Sequence, residues 1–305
     1  MVDKNMSEHM HQLFASAREI LRPILPKRLR GGAAVVPVVR LSGVIGFSTP
    51  LKPGLTLANV ARPLERAFGI RKARAVALLI NSPGGSPVQS HLIYRRIRAL
   101  AAENAKPVIA FAEDVAASGG YMIACAADEI ICDPSSILGS IGVVSGSFGF
   151  AKLMDKFGIE RRLYTSGEHK AMLDPFLPEN PEDVEKLKAV QNEIHEGFVD
   201  LVKQSRGARL KGPEKTLFSG EYWTGNKAIE FGLADGIGDI RSTLRARFGD
   251  DVVTPLISAA RGWFGRVPLG VLEPLSRLAE VRTDFAEEIV SALEEIGRAS
   301  CRERV

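Results

Sequence analysis

Runs of apolar residues, separated by polar turns, predict an α/β domain over most of the chain. Continuous apolar stretches at residues 75–80 and 108–112 are typical of strands that are buried on both faces of a sheet. Apolar residues with helical spacing follow each of them, at 88–102 and 119–126. Strands that alternate with helices predict a parallel sheet with right-handed crossovers.

The same patterns supply the other elements. The predicted strands are 35–41, 75–80, 108–112, 129–132, 142–148 and 159–164, and the predicted helices are 57–68, 88–102, 119–126, 181–205 and 226–231. Pro37 predicts that the first strand lies at an edge of the sheet, because proline cannot donate to a ladder. Residues 250–295 have no regular pattern.

The first 33 residues differ from the rest. Apolar residues recur every three or four positions from His9 to Leu25, which predicts an amphipathic helix that ends at Pro23 and Pro26. Four cations accompany its end with no acid among them: Arg22, Lys27, Arg28 and Arg30. Residues 9–30 either contact a membrane surface peripherally, with the cations on anionic headgroups, or dock on the protein's own core or on a neighbour.

Two further observations bear on location. The amino-terminal region is not basic, and no short apolar stretch precedes a small-residue cleavage site, so we expect no signal peptide. No apolar run is long enough to predict a transmembrane helix. We therefore expect a cytoplasmic or peripherally membrane-associated protein.

Composition narrows the classes of protein. Of 305 residues, 45% are hydrophobic and 25% are charged, which excludes a disordered or collagen-like chain. Residues 296–305 (IGRASCRERV) resemble a translated sequencing adapter. Without them the chain has 37 basic and 35 acidic residues, a net charge of +2 that gives no argument for nucleic acid. Cys125 and Cys132, which then remain, have neither disulfide-framework nor zinc-site spacing and fit a reducing compartment.

Two glycine-containing segments follow the buried strands. In Asn81–Ser86 (NSPGGS), free backbone N–H groups could receive a developing oxyanion, or the segment could be a plain turn with Ser86 as the helix N-cap. In Ala116–Tyr121 (AASGGY), Ser118 stands at the start of a helix. It could be a nucleophile, with the Gly119 N–H beside it as an oxyanion donor, or simply an N-cap.

A lysine follows a later predicted strand, in the segment Thr165–Lys170 (TSGEHK). A lysine in such a place is ordinarily solvated and has no role in chemistry. Burial favours the neutral amine, and a neutral amine can serve as general base for a serine hydroxyl. The segment is therefore of interest only if the ammonium group is desolvated.

Together, residues 35–240 resemble the signal peptide peptidase A (protease IV) family of serine proteases. The motifs that carry the resemblance are NSPGGS at 81–86, AASGGY at 116–121, LGSIGV at 138–143, SGEHK at 166–170 and FSGEYWTGNKAIEFGLADGIG at 218–238. The resemblance implies a ClpP/crotonase-like fold, a repeated ββα spiral, which here follows the amino-terminal amphipathic helix.

The resemblance also implies roles for five residues. Ser118 is the nucleophile and Lys170 the general base of a Ser/Lys dyad, and Ser140 orients the lysine. The backbone N–H groups of Gly85 and Gly119 form the oxyanion hole. Hydrolysis of a peptide by these groups needs no ATP, no metal and no other cofactor.

Partners and domain limits follow from the same resemblance. Short members of the family form homo-oligomeric rings, in which the lysine comes from an adjacent subunit. Their substrates are signal-peptide remnants and other hydrophobic peptides, bound by strand addition. We divide the chain into an amphipathic helix and basic linker (1–33), a peptidase domain (34–243), a carboxyl-terminal extension (244–295) and the adapter-like residues 296–305.

Three alternatives remain open. A Ser/His/Asp triad would need a histidine base, for which His91, His169 and His195 are the candidates, and His169 adjoins the dyad lysine. An acyl-CoA enzyme of the crotonase type would need a carboxylate base, and Glu113 and Asp114 are the acids near the serine. The chain could also be an inactive scaffold that binds peptides or membranes.

Overall fold

The computed structural model describes residues 33–46, 54–167 and 169–258. The amphipathic helix predicted within residues 9–25 and the adapter-like residues 296–305 lie outside the described residues, as does most of the carboxyl-terminal extension. Within the described ranges, no helix has both the length and the apolar character required to cross a membrane.

The described residues form strands and helices in alternation. The strands are β1 (Val38–Ser42), β2 (Val76–Ser82), β3 (Val108–Ala117), β4 (Glu129–Cys132), β5 (Ile137–Gly139), β6 (Tyr222–Thr224) and β7 (Gly236–Ile237). The helices are α1 (Leu57–Phe68), α2 (Pro87–Asn104), α3 (Gly119–Ala124), α4 (Ala151–Lys156), α5 (Pro181–Arg206), α6 (Glu214–Leu217), α7 (Gly225–Glu230) and α8 (Ile240–Phe248), with a 3₁₀ turn at Gly207–Arg209.

The strands form one mixed but mostly parallel sheet in the order β1-β2-β3-β4-β7. Strand β3 is long enough to pair twice along the same side. Its residues 109–112 pair with β4, and its residues 115–117 pair with β5, which in turn pairs antiparallel with β6. The α/β class with a parallel sheet, predicted from the sequence, is therefore confirmed. The second pairing carries the end of β3 towards β5, where the candidate site lies.

The apolar core covers both faces of the sheet. Leu78 and Ile80 of β2 are fully buried in the larger cluster, together with residues of α1, α2 and α5. Ala77, the residue before Leu78, belongs to a smaller cluster on the other face with Leu244 of α8. Burial on both faces explains the continuous apolar run of this strand. Each fully buried leucine or isoleucine contributes about 1.5–3 kcal/mol.

Strand β1 is the last strand at one end of the sheet, as predicted, although a later segment forms isolated bridges along its outer side. Residues 253–257 run along its outer side, where the Val36 N–H donates to the Val253 carbonyl and the Val38 N–H donates to the Pro255 carbonyl, both at 2.9 Å. The Pro37 carbonyl accepts from the Ala77 N–H, so the donor that proline lacks would have faced β2. The proline therefore leaves the outer ladder intact.

The strands predicted at 142–148 and 159–164 are wrong. Both segments lack secondary structure and belong to a largely exposed excursion, residues 142–179, which we call the arm and which contains α4. Its large apolar side chains are exposed: Val144 (93%), Phe148 (79%), Leu153 (50%), Phe157 (67%), Ile159 (58%) and Tyr164 (90%). A strand needs a partner strand, and neither segment pairs with a described residue in the single chain.

A buried ion pair ties α5 to the segment before β7. The Arg206 side chain is fully buried and donates to both carboxylate oxygens of Asp235 at 2.8 Å, and its Nε donates to the Gly232 carbonyl at 2.9 Å. Burial alone would raise the pKa of the Asp235 carboxyl. The hydrogen bonds from Arg206 and from the Ile130 N–H outweigh that effect and hold the pKa below its usual value.

Replacing Asp235 by asparagine should lower the free energy of unfolding by about 3–5 kcal/mol, because Arg206 would keep a buried charge without a counter-charge. Urea denaturation followed by circular dichroism measures the loss. Because the folded-state pKa is depressed, the carboxylate stabilises the protein above its unfolded pKa. That contribution disappears as the pH falls through the folded pKa, so the difference between the two proteins should shrink below about pH 4.

The exposed Asp155 offers a matched control for the same chemical change. Asp155→Asn should alter the free energy of unfolding by no more than about 0.5 kcal/mol. Equal losses in the two variants at neutral pH would contradict a specific contribution from the Arg206–Asp235 pair.

Candidate active site

Ser118 stands at a sharp junction between β3 and α3. Its backbone has φ +50° and ψ −124°, a conformation that costs a non-glycine residue about 1–3 kcal/mol and persists only where the surroundings impose it. Its N–H donates to the Gly139 carbonyl at 2.8 Å, and its carbonyl accepts from the Met122 N–H at 3.0 Å. A strained serine between a strand and a helix is the arrangement of a nucleophile elbow.

Of the two serines that could be helix N-caps, Ser86 caps its helix through its side chain and Ser118 does not. Ser86 is an N-cap, since its side chain accepts from the Gln89 N–H at the start of α2. Ser118 occupies the N-cap position of α3 but makes no capping hydrogen bond through its side chain. The hydroxyl of Ser118 is therefore not committed to holding the helix.

The two glycine-containing segments are in direct contact. A Cβ added at Gly84 would lie 2.7 Å from the Ser118 Cβ and 2.9 Å from the Gly119 nitrogen, and Gly84 has φ +107°. A side chain at this position would displace the serine. The NSPGGS loop and the Ser118 turn are therefore packed backbone against backbone, as the shared sheet edge requires.

Two main-chain donors near Ser118 have no partner among the described residues. The N–H groups of Gly85 and Gly119 donate no hydrogen bond to any other described residue. Gly85 follows the glycine that touches Ser118, and Gly119 follows Ser118 directly. Unsatisfied N–H groups at such a place can stabilise a negative oxygen that forms on a bound carbonyl carbon.

The pairing of β3 with β5 brings Ser140 next to Ser118. Ala117 and Gly139 are register partners, so each serine is the residue that follows a paired position. Ser140 also has a positive φ, +53°, and its N–H donates to the Glu221 carbonyl at 2.6 Å. The two serines of the predicted site are therefore neighbours on adjoining strand ends.

Lys170 is not joined to this pair in the single chain. It lies in a turn-rich, exposed part of the arm, and its ammonium group makes no hydrogen bond or ion pair with another described residue. Its backbone N–H donates to the Gly167 carbonyl at 3.2 Å. Ser118 and the N–H groups of Gly85 and Gly119 therefore lie close together, whereas the Lys170 side chain is exposed.

The alternative bases are not hydrogen-bonded to Ser118 either. His195 Nε2 lies 3.1 Å from the Ile141 carbonyl oxygen, and the His91 ring packs 6.3 Å from that of Tyr94. His169 is exposed in the arm beside Lys170. None of the three forms a triad within the described chain.

Both acids considered for acyl-CoA chemistry have structural partners. Glu113 forms a 2.7 Å ion pair with Arg40, and Asp114 accepts a 2.6 Å hydrogen bond from the Asn81 amide. These contacts tie the ends of β1, β2 and β3 to one another. Neither acid is therefore free to act as the carboxylate base that a crotonase-type enzyme would need.

Sequence reasoning missed two fully buried serines that hold the loops. Ser82 Oγ donates to the Gly43 carbonyl at 2.7 Å and accepts from the Gly84 N–H at 3.2 Å. Ser90 Oγ donates to the Ser86 carbonyl at 2.8 Å and fills the space beside Gly119, where a Cβ would lie 2.3 Å from it. In the sequence, only the i,i+4 spacing of Ser86 and Ser90 could have indicated the hydrogen bond between them.

Comparison with known proteins identifies the family. Residues 101–247 match the family model described as Peptidase family S49. An Enterococcus faecium protein named "Putative signal peptide peptidase SppA" is 30% identical over 238 residues, which are 75% of this chain and 67% of that protein. The chain belongs to peptidase family S49.

Other relatives of this S49 chain are longer. A Brucella abortus protein named "Na(+)/H(+) antiporter NhaA" is 56% identical over 253 residues, which are 83% of this chain but 34% of that protein. The chain spans about a third of the length of the first curated relatives that it matches. The similarity therefore covers only about one third of the Brucella protein.

Two solved structures have partial similarity to this S49 chain. A variant of the 1510-N membrane-bound stomatin-specific protease matches with a TM-score of 0.45 and 16% identity, over 75% of this chain and 100% of that one. ClpP1 from Listeria monocytogenes matches with a TM-score of 0.43 and 16% identity, over 68% of this chain and 94% of that one.

Proposed function

We propose that this chain is an ATP-independent serine endopeptidase in which Ser118 is the nucleophile and Lys170 the general base. The observation that carries the proposal is the strained backbone of Ser118 beside two unsatisfied N–H donors. Strain of this kind is kept where it positions a reacting group. The free N–H groups have a use if a negative oxygen forms next to them.

The reaction is acyl transfer. Ser118 Oγ attacks the peptide carbonyl carbon while its proton passes to the Lys170 amine, and the resulting oxyanion is held by the N–H groups of Gly85 and Gly119. Collapse of this intermediate breaks the C–N bond, and the lysine returns the proton to the leaving amine. Water, deprotonated by the same lysine, then hydrolyses the acyl-enzyme and frees Ser118.

Ser140 is proposed to position the lysine rather than to react. Its place beside Ser118, on the neighbouring strand end, supports this role. A hydroxyl there can accept a hydrogen bond from the amine that approaches Ser118. The lysine would then have two serine contacts that fix its direction.

The lysine is proposed to come from an adjacent copy in a homo-oligomeric ring. A lysine acts as a base only where desolvation favours the neutral amine, and Lys170 is exposed in the single chain. The arm that carries it also exposes large apolar side chains such as Phe148 and Phe157. A neighbour that covered the arm would bury these side chains and desolvate the amine in one step.

The proposed substrates are signal-peptide remnants or other hydrophobic peptides. A mainly apolar groove, which His91, Arg95 and Glu193 also line, includes Pro87, two residues after Gly85, and Met122, one helical turn after Ser118. Its other apolar residues are Val88, Leu92, Ile194, Phe198 and Leu201, of which Val88 is 66% exposed. Such a groove suits apolar side chains of an extended peptide, and the Enterococcus faecium relative's printed name points to the same substrates.

Incubation of the full chain with a library of signal-peptide remnants, without nucleotide, tests the activity and the substrate class. Mass spectrometry of the products should show cleavage inside the apolar segment of the peptides, because those side chains fit the groove. Equally fast cleavage of matched polar peptides would contradict the substrate class. Cleavage that required ATP, or no cleavage by the assembled protein, would contradict the activity.

The proposal also includes the place in the cell where the protein works. The protein is proposed to work in the cytoplasm or at a membrane surface, with peripheral contact through residues 9–30. Those residues lie outside the described chain, so the proposal rests on their sequence, in which apolar residues with helical spacing are followed by a cluster of cations.

A further inference from the structure

The small net charge of the chain conceals a strong separation of charge. Between Ile20 and Ala102 the sequence has 14 lysines and arginines and a single acid, Glu65. The remaining residues have 26 lysines and arginines against 35 acids. The overall +4 is therefore the balance of +13 in one region and −9 in the rest. Three of these cations pair with acids in the fold, Arg40 with Glu113, Arg96 with Glu65 and Arg98 with Asp128, so an anionic partner would be attracted by the cations that remain unpaired.

Part of this charge lies on one surface of the folded domain. Five cations on α1 and on the turn that follows it are exposed, and we call them the basic face: Arg62, Arg66, Arg71, Lys72 and Arg74. None of the five forms an ion pair with another described residue, and Arg66 Nη1 donates to the Ser258 carbonyl at 3.0 Å. By contrast, Glu65 is paired with Arg96 of α2 at 2.7 Å, so it does not neutralise the basic face.

The fold places the basic face at the end of the sheet opposite the candidate site. The turn with Arg71, Lys72 and Arg74 precedes β2, whereas Gly85 and Ser118 follow the carboxyl ends of parallel strands. A strand of seven residues such as β2 is about 20 Å long. A partner bound at the turn would therefore leave the candidate site open.

The chain that precedes the domain enters beside the same turn. Val35 forms a bridge with Ala73, and its carbonyl accepts from the Arg74 N–H at 2.9 Å. Residues 20–30 (ILRPILPKRLR), a short way before Val35, place apolar residues among four further cations. A segment that is both cationic and apolar therefore joins the domain a few residues before Val35, which pairs with the turn of the basic face.

We propose that the basic face docks on an anionic membrane surface. Cations within a Debye length of such a surface are attracted by its headgroups, and apolar residues among them can enter the interface. Nucleic acid would use the cations but would not need the leucines and isoleucines of residues 20–30. Docking in this way turns the candidate site away from the lipid, towards peptides in the aqueous phase. The inference does not depend on the proposed peptidase activity.

Co-sedimentation of the full chain with vesicles tests the proposal. The vesicles are phosphatidylcholine alone or with about one third phosphatidylglycerol, at an ionic strength of about 0.1 M. The variant R71S/K72S/R74S should bind the anionic vesicles about a hundredfold more weakly than the natural chain, since each cation near the surface contributes about fivefold. Binding to phosphatidylcholine alone should not change.

A second variant and a matched control accompany the first. R62Q/R66Q removes two cations from α1 without altering the turn, and should weaken binding about twenty-five-fold. K186S/K188S/K215S removes three exposed lysines elsewhere and the same net charge, and should weaken binding less than about threefold. Equal losses in the control and in R71S/K72S/R74S, or no loss in the latter, would overturn the proposal.

Two other measurements separate this inference from competing ones. Tighter binding to a nucleic acid duplex than to anionic vesicles, at the same ionic strength, would overturn the choice of partner. Hydrolysis of a soluble peptide should be unchanged in R71S/K72S/R74S, because the turn lies at the far end of β2. Failure of vesicle binding with intact hydrolysis would therefore count against docking alone, and the reverse against the peptidase alone.

Discussion

Ser118→Ala is expected to lower kcat/KM for a hydrophobic peptide by about ten-thousand-fold or more. In the proposed mechanism the hydroxyl forms the covalent intermediate, and without it the N–H groups of Gly85 and Gly119, which have no partner among the described residues, have no oxyanion to stabilise. Hydrolysis followed by mass spectrometry measures the loss. The fold should be unaffected, since the Ser118 side chain makes no capping hydrogen bond.

Ser135 provides the matched control, because it is exposed and also lies on a turn after a strand. Ser135→Ala should keep the natural rate, and a serine-directed fluorophosphonate should label both it and the natural chain at Ser118. Undiminished cleavage by Ser118→Ala would remove the assignment. An assembled natural chain that neither cleaves peptides nor takes the label would favour the inactive scaffold instead.

The local pattern of apolar residues predicted those helices and strands that have a clear apolar face or run. Helix α1 and strand β4 begin and end at the predicted residues, 57–68 and 129–132, because each has a clear apolar face or run. Strand β5 was missed, since three residues that end in glycine give no periodicity. It exists because β3 is long enough to pair with it.

The arm shows where apolar patterns mislead. Residues 142–148 and 159–164 contain the apolar residues of a strand, but Val144 and Tyr164 are about nine-tenths exposed. Sequence records that a side chain is apolar and not which molecule covers it. A segment that is buried only against a neighbouring copy therefore has the sequence of a core strand. The proposal of a site shared between copies uses the same exposed apolar side chains of the arm.

Some residues of the candidate site could be predicted from local sequence, and others only from the folded chain. The motifs predicted Ser118, Gly85 and Gly119, because glycines and a serine after buried strands have local signatures. The neighbourhood of Ser118 and Ser140 comes from the register of β3 with β5, which no local pattern contains. The buried Ser82 and Ser90 have the composition of ordinary turn residues, so their part in holding the glycine loops needed the folded chain.

Lys170→Ala should lower peptide hydrolysis by about a thousandfold to ten-thousand-fold, since a missing general base leaves the serine hydroxyl protonated. Mixing this variant with Ser118→Ala should nevertheless restore activity. If each site takes its serine from one copy and its lysine from the next, a random mixture of equal amounts leaves about a quarter of the sites complete. Hydrolysis before and after subunit exchange, with native mass spectrometry to follow mixing, measures the recovery.

The arm offers its own control for this experiment in Lys152, an exposed lysine on α4. Lys152→Ala should remain active without mixing, which separates loss of the base from loss of any arm cation. The doubly substituted chain Ser118→Ala/Lys170→Ala, mixed with Ser118→Ala, should stay inactive, because no copy then supplies a serine. If fully mixed oligomers of the two single variants stay inactive, each site is built within one chain. The arm would then have to fold back and bury Lys170 against its own Ser118 and Ser140.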